Sequence, residues 1–175
     1  MNKMDEETLL RNKPKLAEAR HNAKALLKAC GFQDAPIVLN QVVKRLQTEF
    51  VLTVRGTKEH LPPEVFAITH TDTDGTIIGY NENATVTRQR FSVAHEMGHL
   101  KMGHTHGRSS IDLDSTDNDE MEANTFAAEL LIPQTMLSKD IKNGIKDPEA
   151  LAKRYQVSID AMWWRLSKTG LMNKL

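Results

Sequence analysis

The stretch Ser92-Val93-Ala94-His95-Glu96-Met97-Gly98-His99-Leu100 decides how this chain is read. On an α-helix, residues four apart share a face, one turn above the other. His95 and His99 can therefore aim two imidazole nitrogens at one ion, each about 2.0–2.1 Å from it. Glu96 leaves the helix at an adjacent angle and can reach a water on that ion without ligating it. The cation lowers the water's pKa towards about 7, the carboxylate takes the proton as the water attacks a carbonyl, and the acid so formed can protonate the leaving amine. The surrounding sequence supplies the helix this needs. Phe91, Ala94, Met97 or Gly98, and Met102 trace an apolar stripe, Thr85 or Thr87 can cap the start, Gly103 can end it, and no proline interrupts it.

Two histidines leave a tetrahedral zinc short of one protein ligand, with a fourth position kept open for catalysis. The candidates lie downstream. Glu122 opens the run Glu122-Ala123-Asn124-Thr125-Phe126-Ala127-Ala128-Glu129-Leu130-Leu131-Ile132-Pro133 on the next helix, after a polar loop long enough to bring the chain back. Glu120, Glu129, Asp119 and His104 compete with it. Glu120 is the acceptor of a capping box in Asp117-x-x-Glu120, Glu129 reads as a solvated surface residue, and His104 stands past the helix end with its orientation undetermined. Spacing alone leaves the choice open.

Taken together, Ser92-Val93-Ala94-His95-Glu96-Met97-Gly98-His99-Leu100 and Glu122-Ala123-Asn124-x-Phe126-Ala127-Ala128-x-Leu130-Leu131-Ile132-Pro133 resemble the ImmA/IrrE family of metallopeptidases. The resemblance implies a zincin-like core and a zinc-dependent endopeptidase. It makes the glutamate of the second motif the third zinc ligand, which maps onto Glu122, and leaves Glu96 as the base. It also implies a cytoplasmic regulator of bacterial or phage origin. Its protein substrate would be a helix-turn-helix transcriptional repressor, often of a mobile element, or an antitoxin-like regulator. One Zn2+ per chain is expected, with Mn2+ or Fe2+ the less favoured ions for two imidazoles and a carboxylate. In thermolysin-like sites an acidic residue one turn after the glutamate ligand often orients a histidine. Counted from Glu122 that position is Phe126, so the task falls to Asn124, a backbone carbonyl or Asp119. Tyr80, Arg88, Arg90, His104 and Tyr155 are candidate donors to a transition-state oxyanion.

Working outward, Pro14 to Ala29 carries Leu16, Ala19, Ala23, Leu26 and Leu27 at helical spacing, with Gly31 where a helix would stop. Ile37, Leu39, Val42, Val43 and Leu46 mark a second helix. Residues 50–54, 65–69 and 76–80 read as strands, with Pro62-Pro63 as a break and 71–75 as a turn, and suggest a small antiparallel sheet. Residues 103–117 read as a mobile loop, and a helix follows from Asp117 to Leu131. Two short helices, split at 156–158 and ended by Gly170, close the chain. The expected architecture is α+β, a small antiparallel sheet beside the active-site helix with further helices packed around it. Residues 1–13 are expected to be a flexible lead-in and 14–175 a single domain.

The chain has 175 residues, 39% hydrophobic and 26% charged, with zero formal net charge. That balance suits a globular domain and gives no global signal for nucleic acid or membrane. A single cysteine, Cys30, excludes an internal disulfide and reads as a buried thiol. No apolar run reaches the roughly 20 residues of a membrane helix, and a cytoplasmic location is expected. The segment from about 147 to 170 has a helix-turn-helix pattern. The alternative function is therefore a non-enzymatic regulator binding DNA or a partner protein through these helices, with Arg154, Arg165 and Lys168 on phosphates. Packing of the two helices on the core is the competing expectation for the same residues.

Overall fold

The structure, a computed structural model, describes residues 13–58, 65–104 and 112–175. All but the last residue of the expected lead-in lies outside these residues, as do Pro62-Pro63, His60 and His106. Helix α1 (Leu16–Cys30) buries Ala19, Ala23, Leu26 and Leu27, the stripe its spacing predicts. It stops at Gly31, which has φ 73°. Helix α2 (Leu39–Leu46) buries Val42 and Leu46. Three strands follow, β1 (Leu52–Thr57), β2 (Ala67–Asp72) and β3 (Gly75–Asn81). Among the described residues five α-helices follow, α3 (Val86–Met102), α4 (Asn118–Leu131), α5 (Gln134–Lys142), α6 (Pro148–Tyr155) and α7 (Ile159–Thr169), and then a 3-10 turn (Met172–Lys174).

The fold is α+β, with one correction to the sheet. It is mixed, ordered β1-β3-β2: β2 and β3 form an antiparallel hairpin, but β1 runs parallel to β3. The alternation of apolar residues specifies which face of a strand is buried and carries no information about the direction of its neighbour. β1 and β2 flank the hairpin's return strand β3, which pairs with both.

Helices α3 and α4 are the centre of the molecule. Helix α3 is buried at every residue from Phe91 to His99, and α4 from Glu122 to Leu131. Helix α3 packs on β2 and β3 and, on another side, on α4, while α1 covers α4 from beyond. Gly98 makes the α3–α4 crossing possible. A Cβ at that position would stand 3.0 Å from the Ala123 Cα, 3.1 Å from its carbonyl oxygen and 3.2 Å from the Phe126 Cβ. Two of these atoms belong to backbone, which cannot swing aside. Gly98→Ala should gain about 1 kcal/mol of helix propensity but lose about 1–3 kcal/mol to overpacking. The expected net result is a melting temperature lowered by a few degrees, at roughly 2–4 °C per kcal/mol. A variant that melts higher would contradict this account of the crossing.

The C-terminal helices are packed against the core. Leu151, Ala152, Tyr155, Ala161, Met162 and Leu166 are all buried. Arg165 is buried too, its guanidinium paired with Glu129 and its Nε donating to the Ile132 carbonyl at 3.0 Å. Glu129 is therefore a core residue, not a solvated one. Trp163 is 42% exposed, and Trp164 is half-buried on a cavity wall with Arg20 and Leu113. Cys30 is only half-buried, and that burial pushes its thiol pKa up, against a smaller opposing effect of Arg45. Among the described residues no helix is long and apolar enough to cross a membrane.

Candidate metal centre

The site begins at the middle of α3. Thr85 caps that helix by accepting from the Arg88 N–H at 3.4 Å, and the helical repeat then stacks His95 beneath His99. Their Nε2 atoms are 3.0 Å apart, the rings at 73° to one another. Both residues are buried, as is Glu96. The hydroxyl of Thr69, on β2, donates to Glu96 Oε2, so the sheet orients the carboxylate that the sequence marks as the base.

Among the described residues, Glu120 is the acid whose carboxylate reaches the two histidines. Its oxygens lie 3.2 Å from His95 Nε2 and 3.4 Å from His99 Nε2. The expected capping box forms only by half. Asp117 caps α4, accepting from the N–H groups of Asp119 at 3.0 Å and Glu120 at 3.2 Å. The Glu120 side chain does not reach back; it turns into the site instead. Glu122, two positions on, leaves α4 about 200° further round the helix. Its Oε1 accepts from the Lys15 N–H at the start of α1 at 2.6 Å, and its Oε2 lies 3.0 Å from His104 Nε2. The structure thus brings His95, His99 and Glu120 together, and sets Glu122 with His104 and Asp119 in an adjoining group.

Asn124 completes the first group. It lies one turn after Glu120, on the same face of α4, which is where thermolysin-like sites place the residue that orients a histidine. Its Oδ1 is 2.9 Å from His95 Nδ1, and its Nδ2 donates to the Asp112 carbonyl at 2.7 Å. That second bond decides the protonation pattern. A carbonyl can only accept, so the amide nitrogen faces Asp112 and the amide oxygen faces His95. His95 must then carry its proton on Nδ1, which leaves Nε2 bare and pointed at Glu120.

Three of the other sequence candidates are engaged elsewhere. Tyr155 donates to Asp140 at 2.7 Å, Arg90 donates to the carbonyls of Ile37 and Gln156, and Arg88 stacks over Phe66 at 4.5 Å. Nearby on the chain, Arg154 pairs with Asp34 and Asp140.

The donor set fits a divalent cation. Two imidazole Nε2 atoms and a carboxylate converge at 3.0–3.4 Å, and Glu120 Oε2 is buried without a hydrogen bond. Such groups repel unless something positive sits among them.

No curated protein matches the chain. Among solved structures, a Mycobacterium tuberculosis transcriptional regulator has a similar fold, with a TM-score of 0.68 at 19% identity over 90% of this chain. The chain spans about half the length of that protein, 48%. Residues 53–167, which include every member of the site, match the Peptidase_M78 family, the IrrE N-terminal-like domain, and the chain belongs to that family.

Proposed function

We propose that this protein is a zinc-dependent endopeptidase whose metal is held by His95, His99 and Glu120, with Glu96 as general base. The observation that carries the reading is the convergence of two imidazole Nε2 atoms and a carboxylate with no proton of their own to share. A cation bound there supplies Lewis acidity for polarising a peptide carbonyl and acidifying water. Glu96, buried and held by Thr69, takes the proton from the attacking water at its carboxylate and delivers it to the leaving amine. Among the described residues no strand pairs with the outer edge of β2, which also carries Thr69. An extended segment of substrate can add there as a further strand.

The substrate we assign is a DNA-binding repressor or antitoxin-like regulator, and the location cytoplasmic. The family resemblance supports both, and the likeness to part of a transcriptional regulator bears on the substrate alone. Direct DNA binding by the C-terminal helices is disfavoured, because Arg165 and Arg154 spend their charge on Glu129, Asp34 and Asp140.

The test is elemental analysis of the purified chain and its variants. About one zinc per wild-type chain is expected, with His95→Ala, His99→Ala and Glu120→Ala each losing it. A wild type that takes up no zinc on reconstitution, or a Glu120→Ala variant that holds zinc as wild type does, would refute the assignment.

A further inference from the structure

Beside the three proposed ligands stands a second set of groups that the proposed reaction does not use: His104, Glu122 and Asp119. At first sight these three offer a second metal site, since their ligand atoms also converge. The hydrogen bonds between the two groups argue otherwise.

His104 is delivered by the end of α3. Gly103 takes φ 74° and donates to the Leu100 carbonyl, and His104 donates its N–H back to the His99 carbonyl at 3.0 Å. This two-bond termination folds the chain after the helix against its last turn, and the His104 ring comes to lie beside His99, ring centroids 5.0 Å apart. His99 Nδ1 and His104 Nδ1 are 2.9 Å apart. One must donate and the other accept. On its far side, His104 Nε2 faces only carboxylate oxygens, Glu122 Oε2 at 3.0 Å and Asp119 Oδ1 at 3.5 Å. Carboxylates accept and cannot donate, so the His104 proton sits on Nε2. Its Nδ1 is then the acceptor, His99 must carry its own proton on Nδ1, and His99 Nε2 is left bare.

A metal on His104 Nε2 would reverse this order. His104 would be protonated on Nδ1, His99 would have to accept there, and His99 Nε2 would carry the proton that forbids ligation. The two groups cannot both hold a cation while both rings are neutral.

We infer that His104, backed by Glu122, is a positioning residue that fixes the His99 tautomer and ring orientation for metal ligation. This inference rests on the metal site proposed above. It gives Glu122 a role at one remove: its carboxylate ties the start of α1 through the Lys15 N–H and anchors His104 through Nε2. The two ligand histidines are then oriented by different devices. His95 is set by an amide locked to a carbonyl, and His99 by a second imidazole locked to a carboxylate. Such outer partners typically contribute 10–100-fold in metal affinity.

The experiment is a zinc titration against a competing chelator on the full chain, comparing wild type with His104→Ala and His104→Gln. His104→Ala should bind one zinc with affinity lowered about 10–100-fold. His104→Gln should recover most of it, because its amide oxygen can accept from His99 and its NH2 group can donate to Glu122. In zinc-loaded protein, NMR should show a His99 Nδ1 proton protected from exchange in wild type and His104→Gln and exposed in His104→Ala. Equal zinc affinity and an equally protected proton in His104→Ala would overturn the positioning role while leaving the metal site intact. Two zincs in wild type falling to one in His104→Ala would overturn it in favour of a second metal site. A wild type that binds no zinc would remove the metal reading itself, and the positioning role with it.

Discussion

Glu96→Gln should retain about one zinc per chain and lose about 10²–10⁴-fold in kcat/KM for cleavage of its protein substrate, the range general acid–base catalysis supplies. The substitution preserves shape, and one amide oxygen can still accept from Thr69, so neither the fold nor the ligands should be disturbed. What disappears is a group able to accept a proton and hand it on. Because Glu96 is fully buried against β2 and does not belong to the His95–His99–Glu120 set, its loss should separate chemistry from metal binding. His99→Ala removes both together. The measurement is paired zinc content and initial cleavage rate on the same preparations. A variant that cleaves at the wild-type rate would exclude Glu96 as the base, and one that loses its zinc would make Glu96 a ligand.

Helix α3 was readable from sequence because the spacing of its histidines and its helical period coincide. His95 and His99 must be four apart to share a face, and the apolar residues around them agree with that phase. The carboxylate was harder to place for a physical reason. Glu120 sits in the first turn of α4, where an acidic residue is already explained by the cap and the helix dipole. Only the crossing of α4 over Gly98 shows that this turn faces the histidines. One signal was available. If Glu120 is taken as the ligand, the residue one turn later is Asn124, a polar group suited to hold His95, whereas counting from Glu122 leads to Phe126. His104 had a signal too: a histidine directly after a helix-ending glycine is carried back onto the last turn, so it was not free to point anywhere. The parallel pairing of β1 had none, since strand patterning is blind to direction. Glu129 looked like a surface residue because its partner, Arg165, lies 36 positions away, and only the packing of α7 on α4 unites them.

That pair should dominate stability. Arg165 and Glu129 side chains are 3% and 1% exposed, so water screens neither charge. Burial pulls the Arg165 pKa down, and the charge and hydrogen bond of Glu129 oppose that shift. Removing one partner leaves the other as an uncompensated buried charge, at a typical penalty of about 3–5 kcal/mol. Arg165→Ala also deprives the Ile132 carbonyl of its donor, at the helix end where α4 turns towards α5. Both Arg165→Ala and Glu129→Ala should therefore unfold at markedly lower denaturant or temperature, by on the order of 10 °C at about 2–4 °C per kcal/mol. The double replacement Glu129→Leu with Arg165→Met should behave differently, because it removes both charges and keeps the volume. Such swaps of buried pairs are often neutral or stabilising, so the double variant should recover most of the loss, staying below wild type by the roughly 1–3 kcal/mol that the Ile132 carbonyl costs without its Arg165 donor. Each single variant, measured as metal-free protein, should stay well below it. If the single variants melted like wild type, the pair would contribute nothing net to the fold. If the double variant melted as low as the singles, the ion pair itself, rather than charge neutrality in the core, would be holding α7 on α4.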